Sequence, residues 1–164
     1  FSAVKIGGER AYDIARDGEE GLDFLYRRGP YEGAPRPDLV LLELGSNDGL
    51  RALDPAQTYQ NLAAIIEKAQ AAGAHVLLAG MLAPPNLGRE YGEEFNDVFP
   101  RLADDYDVTF YPFFLEGVAA EPELNLSDGM HPNAQGVEVI VENILPSVID
   151  ALDEAAEKAE GAAG

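Results

Sequence analysis

Two short clusters in this chain combine residue types that move protons and stabilise negative charge. The first is Asp128-Gly129-Met130-His131-Pro132. Its aspartate and histidine stand three residues apart on a turn just before a helical stretch, so both side chains can face one side. Histidine is the usual general base near neutral pH, and a neighbouring carboxylate holds the ring in one tautomer. A helix N-cap aspartate beside a surface histidine fits the same residues. The second cluster is Gly45-Ser46-Asn47-Asp48, directly after the aliphatic run at residues 39–44. An asparagine there can point its amide into the crevice at the strand end and donate to a developing oxyanion without adding a competing charge. A plain βα turn fits too, because Gly, Ser, Asn and Asp are common turn residues.

The rest of the chain offers little further chemistry. His75, the other of the two histidines, opens an aliphatic strand and is read as a strand-edge or satisfied core histidine. No second histidine lies at ligand spacing to either one, so neither a metal site nor a cofactor is expected. There is no cysteine, which excludes disulfides, thiolate metal sites and a cysteine nucleophile. The four serines are Ser2, Ser46, Ser127 and Ser147. Ser46 and Ser127 sit inside the two clusters, Ser2 lies in no recognisable nucleophile elbow, and no nucleophile is identified.

Strands alternating with helices must position these clusters. Residues 11–16 alternate as a strand closed by Asp17-Gly18, and residues 19–28 place Leu22, Leu25 and Tyr26 at helical spacing. Residues 39–44 are a nearly unbroken aliphatic run of the buried parallel-strand type, and residues 75–79 are another buried strand. Asp54-Pro55 opens a helix that Gly73 closes. Residues 89–106 form a helix expected to break near Pro100, and residues 108–111 a short strand. Residues 133–158 form a long final helix, bent at Pro146, with an acidic tail over 153–164 that frays. This pattern predicts an α/β fold: a three-layer α/β/α sandwich around a mostly parallel sheet, in one domain over residues 1–164. Chemistry in such sheets gathers where loops leave the carboxyl ends of the strands.

Composition narrows the partners. Apolar residues make up 46% and charged residues 25%, the balance of a soluble globular protein with a real core. Asp plus Glu number 30 against 11 Lys plus Arg, a net charge of -19. Such a surface repels phosphate backbones and anionic headgroups, so nucleic acid and membranes are not expected partners. Adaptation to high salt and simple acidic solubility both account for the charge. No apolar run is long enough to span a membrane. The chain opens on Phe1 rather than Met and shows no signal peptide, which leaves its compartment open, as is its oligomeric state.

Taken in order, the segments resemble the SGNH hydrolase superfamily, in its branch of arylesterases, lysophospholipases and thioesterases. The residues that carry this are Leu41-Leu42-Glu43-Leu44-Gly45-Ser46-Asn47-Asp48, then 81–91, then Tyr111-Pro112-Phe113-Phe114, then 128–132. Residues 38–152 are covered. The resemblance implies that Asn47 is the oxyanion-hole asparagine, that Asp128 and His131 are the triad pair, and that residues 81–91 border the acyl pocket. The implied substrate is a small acyl ester, thioester or lysophospholipid. That family carries its serine in a Gly-Asp-Ser motif at the end of the first strand, and the motif occurs nowhere in this chain.

Residues 1–42 resemble something else, a response-regulator receiver domain, through Ala15-Arg16-Asp17-Gly18-Glu19-Glu20-Gly21-Leu22 and Pro35-Arg36-Pro37-Asp38-Leu39-Val40. Glu43 stands where that family has its phosphoacceptor aspartate. Both families use a flavodoxin-like sheet of order 2-1-3-4-5. The expectation is a chimera of the two, meeting within residues 37–44, with the first strand apparently missing. Residues 1–6 are expected to fill part of the gap.

Overall fold

The computed structural model describes residues 3–8, 11–15 and 17–162. Its strands are β1 (Ala3–Gly8), β2 (Ala11–Ala15), β3 (Leu39–Glu43), β4 (His75–Ala79) and β5 (Thr109–Tyr111). They form one sheet of order β2-β1-β3-β4-β5. β3, β4 and β5 are parallel to one another. β1 is antiparallel to both β2 and β3, so β2 shares the direction of the other three. The four expected strands therefore run one way. No hole is left between β2 and β3, because β1 lies there, antiparallel to both. Its reversal follows from length: residues 9 and 10 alone join it to β2, and only a hairpin closes in so few residues.

The helices are α1 (Gly18–Leu25), α2 (Ser46–Leu50), α3 (Pro55–Ala71), α4 (Arg89–Tyr106) and α5 (Ala134–Ala162). Asp17 caps α1, accepting from the Glu20 amide at 2.8 Å. Asp54 caps α3 in the same way through Ala56, with Pro55 at the first helical position. Alternation along the buried strands sends side chains to both faces. Val40, Leu42, Val76 and Leu78 meet Leu62 and Ile66 of α3 and Phe95, Phe99 and Leu102 of α4. Leu39, Leu77, Ala79 and Tyr111 point the other way, onto Ile144 and Ala151 of α5.

Two helices depart from expectation. α4 runs straight through Pro100 with no break. An interior proline costs about 3 kcal/mol, and the fully buried Phe95, Phe99 and Leu102 on the same helix offset it. α5 continues to Ala162 instead of fraying from residue 153. Its last turns are docked: Glu154 accepts from Thr109 Oγ1 at 2.7 Å, and Lys158 Nζ lies 3.2 Å from His75 Nδ1. Arg16, Ala163 and Gly164, which belong to expected elements, lie outside the described residues.

Candidate active site

The loop before α5 is built by asparagines. The buried Asn125 donates its amide to the carbonyls of Val118 and Glu121, at 2.7 and 2.8 Å. Asn133 donates from its backbone to Leu124 at 2.9 Å and from its side chain to the Glu123 carbonyl at 2.8 Å. Between these clamps the chain doubles back, with the Leu126 amide donating to the His131 carbonyl at 2.7 Å and Gly129 at a φ of 70°. The turn holds Asp128 and His131 on one side.

Asp128 is held at both oxygens. Oδ1 accepts from the amides of Met130 and His131, at 2.9 and 3.0 Å. Oδ2 lies 2.7 Å from His131 Nδ1. The two backbone donors, His131 first and Met130 second, and then the imidazole hold the Asp128 carboxyl well below the usual carboxylate range. An ionised carboxylate only accepts, so Nδ1 carries the proton and Nε2 is the basic nitrogen of the neutral ring. The N-cap alternative for Asp128 falls away. Asn133 caps α5 instead, its Oδ1 accepting from the Gly136 amide at 3.1 Å.

Asn47 lies in α2, one turn of helix that leaves the end of β3 through Gly45, whose φ of 107° suits glycine. The turn is pressed onto the core, where a Cβ at Gly45 would sit 3.2 Å from the Phe99 ring. The buried Thr58 hydroxyl donates to Asp48 Oδ2 at 3.1 Å, which turns that carboxylate toward α3. Asn47 itself is exposed. Tyr91 donates to the Leu53 carbonyl at 3.0 Å and stacks on Phe95, tying the 81–91 segment to the end of this turn. Asn96 holds that segment from beneath, accepting from the Ala83 amide at 2.8 Å.

Both clusters occupy one edge of the sheet. Asn47 follows the carboxyl end of β3. The far end of α5 touches His75 and Thr109, the first residues of β4 and β5. Twenty helical residues back from Glu154 span about 30 Å, which carries the start of α5, and His131 before it, past the carboxyl ends of the strands. Asp128 and His131 are thus in direct contact, and Asn47 shares their edge. Ser46 and Ser127 each adjoin one cluster, Ser147 lies within α5, and Ser2 is outside the described residues. Among the described residues no group of three or more His, Asp or Glu side chains is placed to share a metal ion.

His75 is on the opposite edge and is a satisfied core histidine, 7% exposed. Its Nε2 meets Thr109 Oγ1 at 2.7 Å and Glu154 Oε2 at 3.0 Å, while Nδ1 accepts from Lys158. Burial first, and then the Lys158 charge, push its pKa down. Thr58, Tyr91, Asn96, Asn125 and Asn133 escaped attention in the sequence. The one available signal was the spacing of Tyr91, Phe95 and Phe99, four apart on a helix.

Comparison with known proteins gives the family. The model of the GDSL-like lipase/acylhydrolase family matches residues 3–139. The esterase TesA of Pseudomonas aeruginosa is 44% identical over 139 residues, which is 85% of this chain and 69% of that protein. The thioesterase 1/protease 1/lysophospholipase L1 of Escherichia coli is 46% identical over 98 residues, 60% of this chain. This chain spans only 47% of that protein's length. A crystal structure of TesA superposes with a TM-score of 0.70 at 40% identity, covering 80% of this chain and 71% of that one. With a parallel sheet flanked by helices and the family pattern running from residue 3 to residue 139, the chain belongs to the GDSL-like lipase/acylhydrolase family.

Proposed function

We propose that this chain is an SGNH-type ester-hydrolase domain that keeps the acid–base pair and the oxyanion amide but has no nucleophile, and is therefore inactive toward esters as it stands. The observation that carries the reading is the 2.7 Å contact between Asp128 Oδ2 and His131 Nδ1, with Asp128 fixed by two backbone amides. In the complete mechanism a serine Oγ attacks the acyl carbon as His131 Nε2 takes its proton. Asp128 stabilises the imidazolium, and the Asn47 amide donates to the carbonyl oxygen as it becomes negative. Collapse expels the alcohol or thiol, which takes the proton from His131, and water then releases the acyl group by the same route.

Carboxylesters, thioesters and lysophospholipids share that chemistry. Leu50 at the end of α2 and Leu53, Leu82, Leu126 and Met130 on loops are exposed and suit an acyl chain. The architecture proposed alongside is a three-layer, flavodoxin-like sandwich whose central place is taken by a reversed strand. A chimeric origin, with a receiver-like fragment joined within residues 37–44, accounts for that reversal. The rival is a non-enzymatic signalling module built on residues 1–42. It needs a phosphoacceptor where the chain has Glu43, 5% exposed, and the family match runs through the same stretch from residue 3.

Loss of the serine from a hydrolase triad costs on the order of 10⁶ in kcat. Almost no turnover of p-nitrophenyl esters or acyl-CoA is expected, and a fluorophosphonate probe should form no adduct. Labelling that disappears on His131→Ala would overturn the proposal, and Ser46→Ala would then be the first variant to locate the nucleophile.

A further inference from the structure

Helix α5 is apolar on two adjoining flanks, and only one is covered. Ile140, Ile144 and Ala151 are buried, the latter two in the sheet-facing cluster. At about 100° per residue, Val137, Val141, Leu145, Ile149 and Leu152 form a neighbouring stripe, and each is 46–52% exposed. The opposite flank of the helix looks toward β5, where Asn143 donates to the Glu116 carbonyl and Glu154 meets Thr109. The exposed stripe therefore faces the other way, toward β3 and, beyond it, β1 and β2. Leu41, half-buried on this face of β3, lies at its foot.

Strand direction explains the bare flank. A parallel strand in the place of β1 would reach β2 by a crossover of a dozen or more residues, usually a helix. Crossovers are overwhelmingly right-handed. The steps from β3 to β4 and from β4 to β5 place α3 and α4 on one face. A right-handed step in the opposite direction, from the β1 position to β2, falls on the other face, beside α5. The antiparallel β1 is followed directly by β2, with no helix between them among the described residues.

We infer that the exposed stripe of α5 is a docking seat for an amphipathic helix with an apolar seam and basic borders, lying where that crossover helix would lie. Charge selects the borders: Glu138, Glu142 and Asp153 flank the stripe, on a chain of net charge -19. A second copy fits poorly. Five half-exposed side chains per copy fall short of the roughly 1,200 Å² that a stable interface buries, and two such acidic chains repel. A helix between α5 and the sheet gains more, because it touches both the stripe and Leu41.

The test uses a fluorescein-labelled peptide of about five helical turns, with leucines on one face and lysines and arginines beside them. Its anisotropy is titrated with the full chain at about 0.5 M salt, where surface attraction is largely screened. Micromolar binding is expected, weakened at least tenfold by Leu145→Glu and by Val141→Asp. Both substitutions add negative charge and would strengthen a purely electrostatic attraction. Both positions are exposed, so the variants should unfold at the parent temperature. A scrambled peptide of the same composition should bind at least tenfold more weakly. Equal binding of the scrambled peptide, or equal binding to Leu145→Glu, would overturn the inference. So would a dimer in sedimentation that Leu145→Glu abolishes, since a second copy would then own the seat.

Discussion

Replacing Gly136 with alanine should loosen the turn that carries Asp128 and His131, although alanine is the better helix former. A Cβ at Gly136 would lie 2.2 Å from the Leu124 carbonyl oxygen and 3.1 Å from Val118 Cγ1. Ordinary contact begins at 3.4 Å, so the helix start must retreat by 1.2 Å (3.4 less 2.2). The Leu124 oxygen is backbone and cannot rotate aside. It also accepts the Asn133 amide, while the Asn133 side chain holds Glu123. Overpacking of this kind costs about 1–3 kcal/mol, and two weakened hydrogen bonds add about 0.5–1.5 kcal/mol each. The helix preference of alanine returns about 1 kcal/mol, leaving a net loss of about 1–5 kcal/mol. For a domain of this length that lowers Tm by about 2–20 °C. Gly92→Ala is the control, since nothing lies within 4 Å of its Cβ and it sits in α4. It should leave Tm unchanged or raise it. Thermal unfolding followed by circular dichroism measures both, and the downfield Nδ1 proton of His131 should broaden in Gly136→Ala alone. A Gly136→Ala protein as stable as the parent would refute the close approach and the clamp built on it.

Two further outcomes follow from the charged groups. His75 is neutral in the folded chain with its pKa pushed below the ordinary value near 6.5, so the unfolded chain takes up a proton that the folded chain refuses. Stability should be full above about pH 6.5 and fall as the pH drops below it. Urea unfolding at about pH 7.5 and about pH 5.5 should show a smaller difference in His75→Gln than in the parent, and an identical difference would count against the buried, Lys158-facing ring. Asp128 should remain ionised at about pH 3, where an ordinary aspartate is mostly protonated, because two amides and an imidazole hold its carboxyl down. Carbon-13 NMR of the carboxyl reads this directly, and a midpoint near 4 would mean that the turn does not form in solution.

What could be read from the sequence was local. Asp128 and His131 are three residues apart, so one turn brings them together whatever the rest of the chain does. The aliphatic runs at 39–44 and 75–79 could be placed as buried strands for the same reason. Pro100 misled because propensity is a local quantity, whereas the burial of Phe95, Phe99 and Leu102 that overrides it is not. Thr58 bonds to Asp48 across ten residues and Tyr91 to Leu53 across 38. Thr58 carries no mark in the sequence that separates it from any other threonine, and the spacing of Tyr91 to Phe95 marks a helix face but not its bond to Leu53. The direction of β1, by contrast, was within reach. Two residues between strands permit a hairpin and forbid a parallel crossover.

That direction bears on the chemistry as much as the missing motif does. β1 pairs Ala3 with Glu43 and Gly7 with Leu39. Its first residues therefore lie at the carboxyl edge, with Asn47 and His131, and its last residues at the edge of His75 and Thr109. A nucleophile carried at the end of a first strand reaches His131 only if that strand runs parallel to β3. Writing Gly-Asp-Ser into the end of β1 would thus set a serine about one strand length from its base, on the order of 15–20 Å away. On the proposed reading, a strand-end serine meets His131 only on a strand parallel to β3, which in turn requires a crossover helix on the face where α5 leaves its apolar flank uncovered. The antiparallel β1 and the exposed stripe on α5 belong together: without a parallel strand in that place, no crossover helix is needed on that face.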